Sequence, residues 1–142
     1  MSAMTNPESQ AERELCGLLN GMACQIAEHV RRRALRLGLT APQATALREL
    51  TGPMTMRELA ERMSCEPSNA TFVVDKLEKR ELLERQPHPT DRRAKRLVLT
   101  PRGTALREQL LELLGEDSPL AGLTQEERGT LQRLLERAVI RP

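Results

Sequence analysis

Thr40, Thr55, Thr100 and Thr124 each stand where a helix would begin, and this punctuation limits the fold before any other feature is weighed. A threonine just ahead of a helix can accept one of the backbone N–H groups that the first turn leaves unpaired. A Glu or Gln three residues later can return the bond. Thr40 with Gln43, Thr55 with Glu58 and Thr124 with Glu127 have this spacing, while Thr100 is followed at once by Pro101, a residue suited to a first helical position. Upstream of all four, Leu15, Leu18, Leu19, Met22, Ile26 and Val30 recur mostly at three- and four-residue steps, which predicts one long amphipathic helix over 8–36.

Breakers set the other boundaries. "GLTAPQ" ends the first helix, and Thr51-Gly52-Pro53 ends the second near Leu50. A short helix, "MRELAERM", then leads through "SCEP" to Pro67 and a further helix, "SNATFVVDKLEKRE". Two runs, "LLERQ" and "AKRLVLT", read as short strands, the second with Leu97 and Leu99 alternating. The helix after Thr100 carries Leu106, Leu110, Leu113 and Leu114 on one face, and the last helix runs through Leu131, Leu134 and Leu135 after a loop over 115–123. At 142 residues the chain fits one domain, mainly α with a small β-hairpin, an α+β class. One Phe, no Trp and no Tyr leave Leu, Val, Ile, Met and Ala to build the core, which suits helix packing better than a sandwich or barrel. The same scarcity disfavours single-strand binders that stack bases on aromatic platforms.

Between the strands lies "RQPHPTDRRAKRLVLTPRG", too broken by proline to be a helix. From Arg85 to Arg102 it sets Arg85, Arg92, Arg93, Lys95, Arg96 and Arg102 against Asp91, a local net of +5 in a chain whose formal net charge is only +2. A second basic cluster, Arg31, Arg32, Arg33 and Arg36, closes the first helical stretch. Patches of one sign mark a nucleic-acid footprint better than overall charge does. Two short helices with a tight connection form a helix-turn-helix, and the basic hairpin behind them forms a wing. That arrangement lets the second helix enter a major groove while the wing meets phosphates or the minor groove. A solvated charge run is the bland alternative, disfavoured by the clustering of sign.

Other chemistries find little support. The start "MSAMTNPESQAERE" has no signal pattern and no apolar run approaches a membrane span, so a cytoplasmic protein is expected. Three cysteines, none in a C-x-x-C pair, do not make a disulfide framework. His29 and His88 lie far apart without clustered ligands, so no metal and no cofactor is expected. No phosphate loop, nucleophile elbow or acid–base pair appears, and an enzyme is not expected.

The run "LAERMSCEPSNATFVVDKLEKRELLERQPHPTDRRAKRLVLTPRG", Leu59 to Gly103, resembles the MarR family of bacterial winged-helix transcription regulators. Asp91-x-Arg93 with Leu99-Thr100 beyond it matches the family's wing signature, and "PSNAT", "VDKLE" and Glu84-Arg85 are similar in order and spacing. The resemblance implies a winged helix-turn-helix lobe over 40–100, with dimerisation helices over 8–36 and 100–139. It implies a homodimer on palindromic duplex DNA, most often a repressor, released by a small anionic or apolar effector between the dimerisation helices and the lobe. Without aromatic residues, such a pocket would be lined by Leu, Met and Ala.

Residue by residue, Pro67, Ser68, Asn69, Thr71, Phe72 and Lys76 lie toward the outer face of the recognition helix, with Val73, Val74 and Leu77 in the core. The short polar side chains suit base edges or phosphates, Lys76 a phosphate, and Phe72 a thymine methyl. Helix capping is the plainer role for Ser68 and Asn69. In the wing, Arg85, Arg92, Arg93 and Lys95 are candidate DNA contacts, and Asp91 is expected to orient a neighbouring arginine by ion pairing. Leu15, Leu18, Leu19, Met22, Leu110, Leu113, Leu114, Leu131, Leu134 and Leu135 are candidate dimerisation residues, in a pairing that would set two recognition helices about 34 Å apart.

Two departures stand out: Glu81 replaces the family's usual glycine at the end of the recognition helix, and Phe72 replaces a residue that is commonly polar or basic. Cys16 and Cys65 are candidate redox residues, Cys16 loosely resembling the sensing thiol of peroxide regulators and Cys65 preceding a helix N-terminus. Those sensors use tyrosine hydroxyls, which this chain lacks, and buried inert thiols are the default. A thiol-switched regulator and a winged-helix protein-interaction module without DNA remain alternatives.

Overall fold

The computed structural model describes residues 6–139. In chain order they form α1 (Pro7–Arg36), α2 (Ala41–Glu49), α3 (Met56–Met63), α4 (Pro67–Lys79), β1 (Leu83–Pro87), β2 (Lys95–Leu99), α5 (Pro101–Gly115) and α6 (Gln125–Ala138). The helix starts are built as the threonines predict. Thr40 and Thr124 make reciprocal capping boxes with Gln43 and Glu127, and the bonds from Thr124 hold the Glu127 carboxyl below the usual carboxylate range. Thr55 makes half of one. Its hydroxyl accepts from Glu58 N and donates to Glu58 Oε1, so that carboxylate does not return to the Thr55 backbone.

Two compact units divide the chain, one over 27–116 and one of residues before 27 and after 116. The first holds the core: Leu47, Leu59, Val74, Leu77, Leu82, Leu83, Leu97 and Leu110 are fully buried there. Residues 27–36 and α5, expected among the dimerisation helices over 8–36 and 100–139, belong to the same unit as the winged helix. Leu110, read as a dimerisation residue, lies in the core of this unit with no exposed surface.

Buried leucines are only part of what fastens this unit, since arginines close the helix ends. Arg107 donates from Nε and Nη2 to the carbonyls of Leu47 and Arg48, the last turn of α2. Arg33 donates to the carbonyls of Leu113 and Glu116, and His29 Nε2 to that of Leu114 at 2.8 Å, the end of α5. Each satisfies acceptors that a helix C-terminus leaves unpaired, and the two arginines put positive charge where the helix dipole favours it.

The sheet is one antiparallel hairpin, with Leu83 opposite Leu99, Arg85 opposite Leu97 and Pro87 opposite Lys95. A third segment joins it where the sequence indicates only a helix stop. Met54 and Leu97 exchange backbone bonds of 3.2 and 2.7 Å, tying the α2–α3 connection to the wing. At its root the hairpin meets α4 and α5 in one joint. Leu82 O accepts from Thr100 N, the Thr100 hydroxyl donates to Glu81 O at 2.7 Å, and it accepts from Gly103 N at 3.0 Å. A Cβ on residue 103 would lie 1.8 Å from Leu82 O, so the start of α5 can rest here only as glycine. Glu81, just before, is left-handed at φ 60, the conformation for which glycine is the unstrained choice.

The second unit contains the N-terminal part of α1, the turns after Glu116, and α6. Ala121 N donates to Ser118 O and Leu123 N to Leu120 O, which coils the chain into the Thr124 cap, and Arg128 Nε donates to Leu120 O. No residue of α6 is buried. Leu15, Leu18, Leu19, Leu134 and Leu135 are all exposed, Leu18 at 73%, while Met22 and Leu131 are half-buried.

The joint gives two opposite expectations for thermal or urea unfolding. Gly103→Ala should lose more than about 3 kcal/mol, since backbone rather than a side-chain tip blocks the added methyl. Glu81→Gly should gain about 1 kcal/mol by relieving left-handed strain.

Candidate nucleic-acid interface

Two short helices meet across a turn that the sequence forces. α3 ends at Ser64, itself left-handed at φ 54, and Cys65 N donates back to Ala60 O. Glu66 then occupies the cap position of α4 without a side-chain bond, and Pro67 begins the helix. Leu59 and Ala60 of α3 and Ala70, Val73, Val74 and Leu77 of α4 are buried, so the two helices share one apolar seam.

The opposite face of α4 carries every recognition residue read from the sequence. Pro67, Ser68, Asn69, Thr71, Phe72 and Lys76 are all exposed. Neither Ser68 nor Asn69 is the helix cap, because Glu66 holds that position. The Thr71 hydroxyl donates to Pro67 O at 2.9 Å within its own helix, leaving only its lone pairs for a partner. Lys76 Nζ sits 5.2 Å from the centroid of the Phe72 ring.

At the wing tip, the two prolines and the histidine have structural work. His88 Nδ1 accepts from the backbone N–H groups of Thr90 (3.2 Å) and Asp91 (3.1 Å), and His88 N donates to Ala94 O. Asp91 was expected to pair with an arginine side chain; its Oδ1 instead accepts from the backbone N–H of Arg93 at 3.0 Å. This is a turn bond, made because a short carboxylate reaches the amide two residues on more readily than a flexible guanidinium. The D-x-R signature therefore fixes the loop's shape and releases the arginine. Arg92, Arg93 and Lys95 are exposed and form no ion pair among the described residues.

Other basic residues of the two clusters are engaged by this chain's own groups. Arg85, expected to touch DNA, is turned back onto α4: Nη2 lies 2.6 Å from Asp75 Oδ1 and Nη1 3.3 Å from Glu78 Oε1. Two carboxylates one helical turn apart thus hold it between the wing and α4. Arg102 approaches Glu81 at 4.0 Å. The second basic cluster is likewise internal. Arg31 and Arg32 both bind Glu28, and these hydrogen bonds hold its carboxyl down to about 2. Arg33 caps α5, and Arg36 pairs with Glu116 at 3.3 Å.

Two clefts lie within the 27–116 unit. One, of about 350 Å3, is lined by Arg36, Leu37, Gln109, Glu112, Leu113 and Glu116, mostly polar or charged, unlike the Leu, Met and Ala lining expected for an effector. The other, of about 290 Å3, lies between the α2–α3 connection and the wing. Leu113 and Leu114, read as dimerisation residues, are half-buried in this unit. Cys16 and Cys24 are exposed on α1, and Cys65 is half-buried in the turn before α4. No cluster of three or more His, Cys, Asp or Glu suited to a metal occurs among the described residues, and no described helix is long and apolar enough to cross a membrane.

Comparison with known proteins agrees with this geometry. The MarR family model matches residues 39–95, the span from α2 to the wing. MarR of Salmonella typhimurium, a multiple antibiotic resistance protein, is 33% identical over 106 residues, 71% of this chain and 74% of its own. The transcriptional regulator YsmB of Bacillus subtilis is 33% identical over 95 residues, 66% of this chain and 65% of its own length. Among solved structures, a cysteine-to-serine mutant of E. coli MarR complexed with operator DNA has a TM-score of 0.72 at 27% identity, covering 89% of this chain and 94% of that one. BpsR of Bordetella bronchiseptica, solved in work on the regulation of its DNA binding by 6-hydroxynicotinic acid, has a TM-score of 0.73 at 25% identity, covering 88% and 98%. A six-helix chain with one hairpin, a helix-turn-helix seam and a turn-closed basic wing is thus a member of the MarR family of transcriptional regulators.

Proposed function

We propose that this chain is a homodimeric, sequence-specific regulator of transcription that binds duplex DNA at a palindromic operator, acts as a repressor, and loses operator affinity when a small molecule binds. The observation that carries the reading is the sorting of charge. Arg31, Arg32, Arg33, Arg36 and Arg85 all bind this chain's own groups, whereas Arg92, Arg93 and Lys95 are left exposed on a wing whose tip is closed by His88 and Asp91. Beside them, the outer face of α4 offers short polar groups at its N-terminal end, where a major-groove helix meets base edges.

The chemistry required is recognition only. The wing cations displace counterions condensed on phosphates, and α4 reads the base edges. A non-catalytic role in the cytoplasm, where operator DNA is, follows from that reading. Dimerisation is supported by the unit containing α6, where Leu15, Leu18, Leu19, Leu134 and Leu135 stay exposed. The effector is supported by the likeness to BpsR, and its binding weakens the operator complex only if it favours a dimer geometry that DNA does not. A protein-interaction module would have no need of an exposed, unpaired wing cluster.

Electrophoretic mobility shift with duplexes from its own upstream region, at two salt concentrations, tests the reading. Binding should fall steeply with salt. Arg93→Ala, in two copies per dimer, should lower affinity at least tenfold and reduce the log–log salt slope by about 1.8. Its melting temperature should stay unchanged, whereas Arg85→Ala should lose about 1 kcal/mol of stability through its braced geometry. Sedimentation should show a dimer, and a Leu18→Glu, Leu134→Glu double variant should be monomeric and bind duplexes weakly. Unchanged duplex binding by Arg93→Ala would overturn the wing assignment.

A further inference from the structure

Phe72 is the only aromatic residue of the chain, and it stands on the outer face of α4 with 65% of its surface exposed. The core does not need it there, since Val73 and Val74 beside it already supply the buried side of the helix. Its ring is held, however. Lys76, one turn onward, places its ammonium over one face, a cation–π contact that leaves the other face and the ring edge open. Ser68, Phe72 and Lys76 follow at four-residue steps, so the ring sits mid-stripe on the surface proposed to enter the major groove.

Almost everything a major groove presents is a hydrogen-bond donor or acceptor, and a phenyl ring can pair with none of it. The one apolar feature is the methyl group on C5 of thymine. A side-chain wedge between base steps is a minor-groove device and does not suit a residue in the middle of a groove-lying helix. We infer that Phe72 is a specificity-determining residue that reads a C5 methyl group. Each half-site then carries a thymine against this ring, and 5-methylcytosine is accepted there where cytosine is not. The inference rests on the DNA-binding reading above and adds to it the chemical feature recognised.

The test uses the full-length protein and duplexes selected from a random-sequence pool at low salt. Each thymine of a selected duplex is replaced in turn by deoxyuridine, which differs only in the lost methyl. Wild-type protein should lose about fourfold in affinity at one thymine of each half-site, the factor for withdrawing one methyl-sized group from an apolar contact. Phe72→Ala should bind parent and substituted duplexes equally, and Phe72→Leu, which keeps an apolar contact, should retain part of the difference. At the same position 5-methylcytosine should bind several-fold better than cytosine with wild type and not with Phe72→Ala. Indifference of wild type to every uracil, or an undiminished uracil penalty in Phe72→Ala, overturns the inference while leaving the regulator reading in place. A selection that returns no bound duplex overturns both.

Discussion

Around Thr100 and Gly103, four segments meet with almost no space between them. The hydroxyl of Thr100 donates to the carbonyl that ends the recognition helix and accepts from the first turn of α5, while its own N–H reaches the carbonyl that starts the wing. Gly103 lets α5 lie against that last carbonyl where any side chain would collide. Because these contacts are to backbone, they fix directions and not merely proximity. The orientation of α4 relative to the hairpin is set here, and Arg85, bound to Asp75 and Glu78, repeats the constraint farther along the strand. Any account of wing and helix addressing one ligand together depends on this joint.

Charge, in this chain, is sorted by whether an internal acceptor lies in reach. Helix C-termini leave carbonyls that water or side-chain donors must satisfy, and Arg107 serves the end of α2 while Arg33 and His29 serve the end of α5. Carboxylates capture others. On the hairpin, Arg92, Arg93 and Lys95 make no ion pair among the described residues, while the side chains of His88 and Asp91 are occupied by backbone N–H groups. The exposed arginines thus stand on a loop closed by its own turn bonds without being neutralised by it. That lowers the ordering cost of meeting phosphates, since the loop backbone is already arranged.

How far the fold was legible follows from how local each determinant is. Thr40, Thr124, Pro67 and Pro101 act within one turn, and the structure begins helices at each as the sequence indicates. Val73, Val74 and Leu77 are buried as their spacing requires. Determinants acting across tens of residues were not visible. Nothing near Leu110 tells that α5 passes through the lobe core, and nothing near Arg85 tells that its strand folds back to face Asp75 on α4. A run such as Arg31 to Arg36 looks like a patch because sequence records charge without its partners, although Glu28, three and four residues earlier, was a readable sign. The strain at Glu81 was legible for a different reason, as a departure from the glycine usual at that place.

The unit carrying α6 poses the opposite physical problem from the lobe. A 14-residue helix with no buried residue is marginal on its own in water, since helix nucleation is costly and propagation returns little without packing. Leu134 and Leu135, with Leu15, Leu18 and Leu19 of the N-terminal part of α1, keep apolar surface that their own unit does not cover. A second copy presenting the same stripes supplies that cover, and two-fold pairing lets one sequence satisfy both sides. The lobe is internally locked at the Thr100–Gly103 joint, so a ligand would have to break backbone contacts to change the angle between helix and wing. Altering how two locked lobes are held apart breaks none of them. A change confined to the pairing helices would therefore leave the Thr100–Gly103 joint intact.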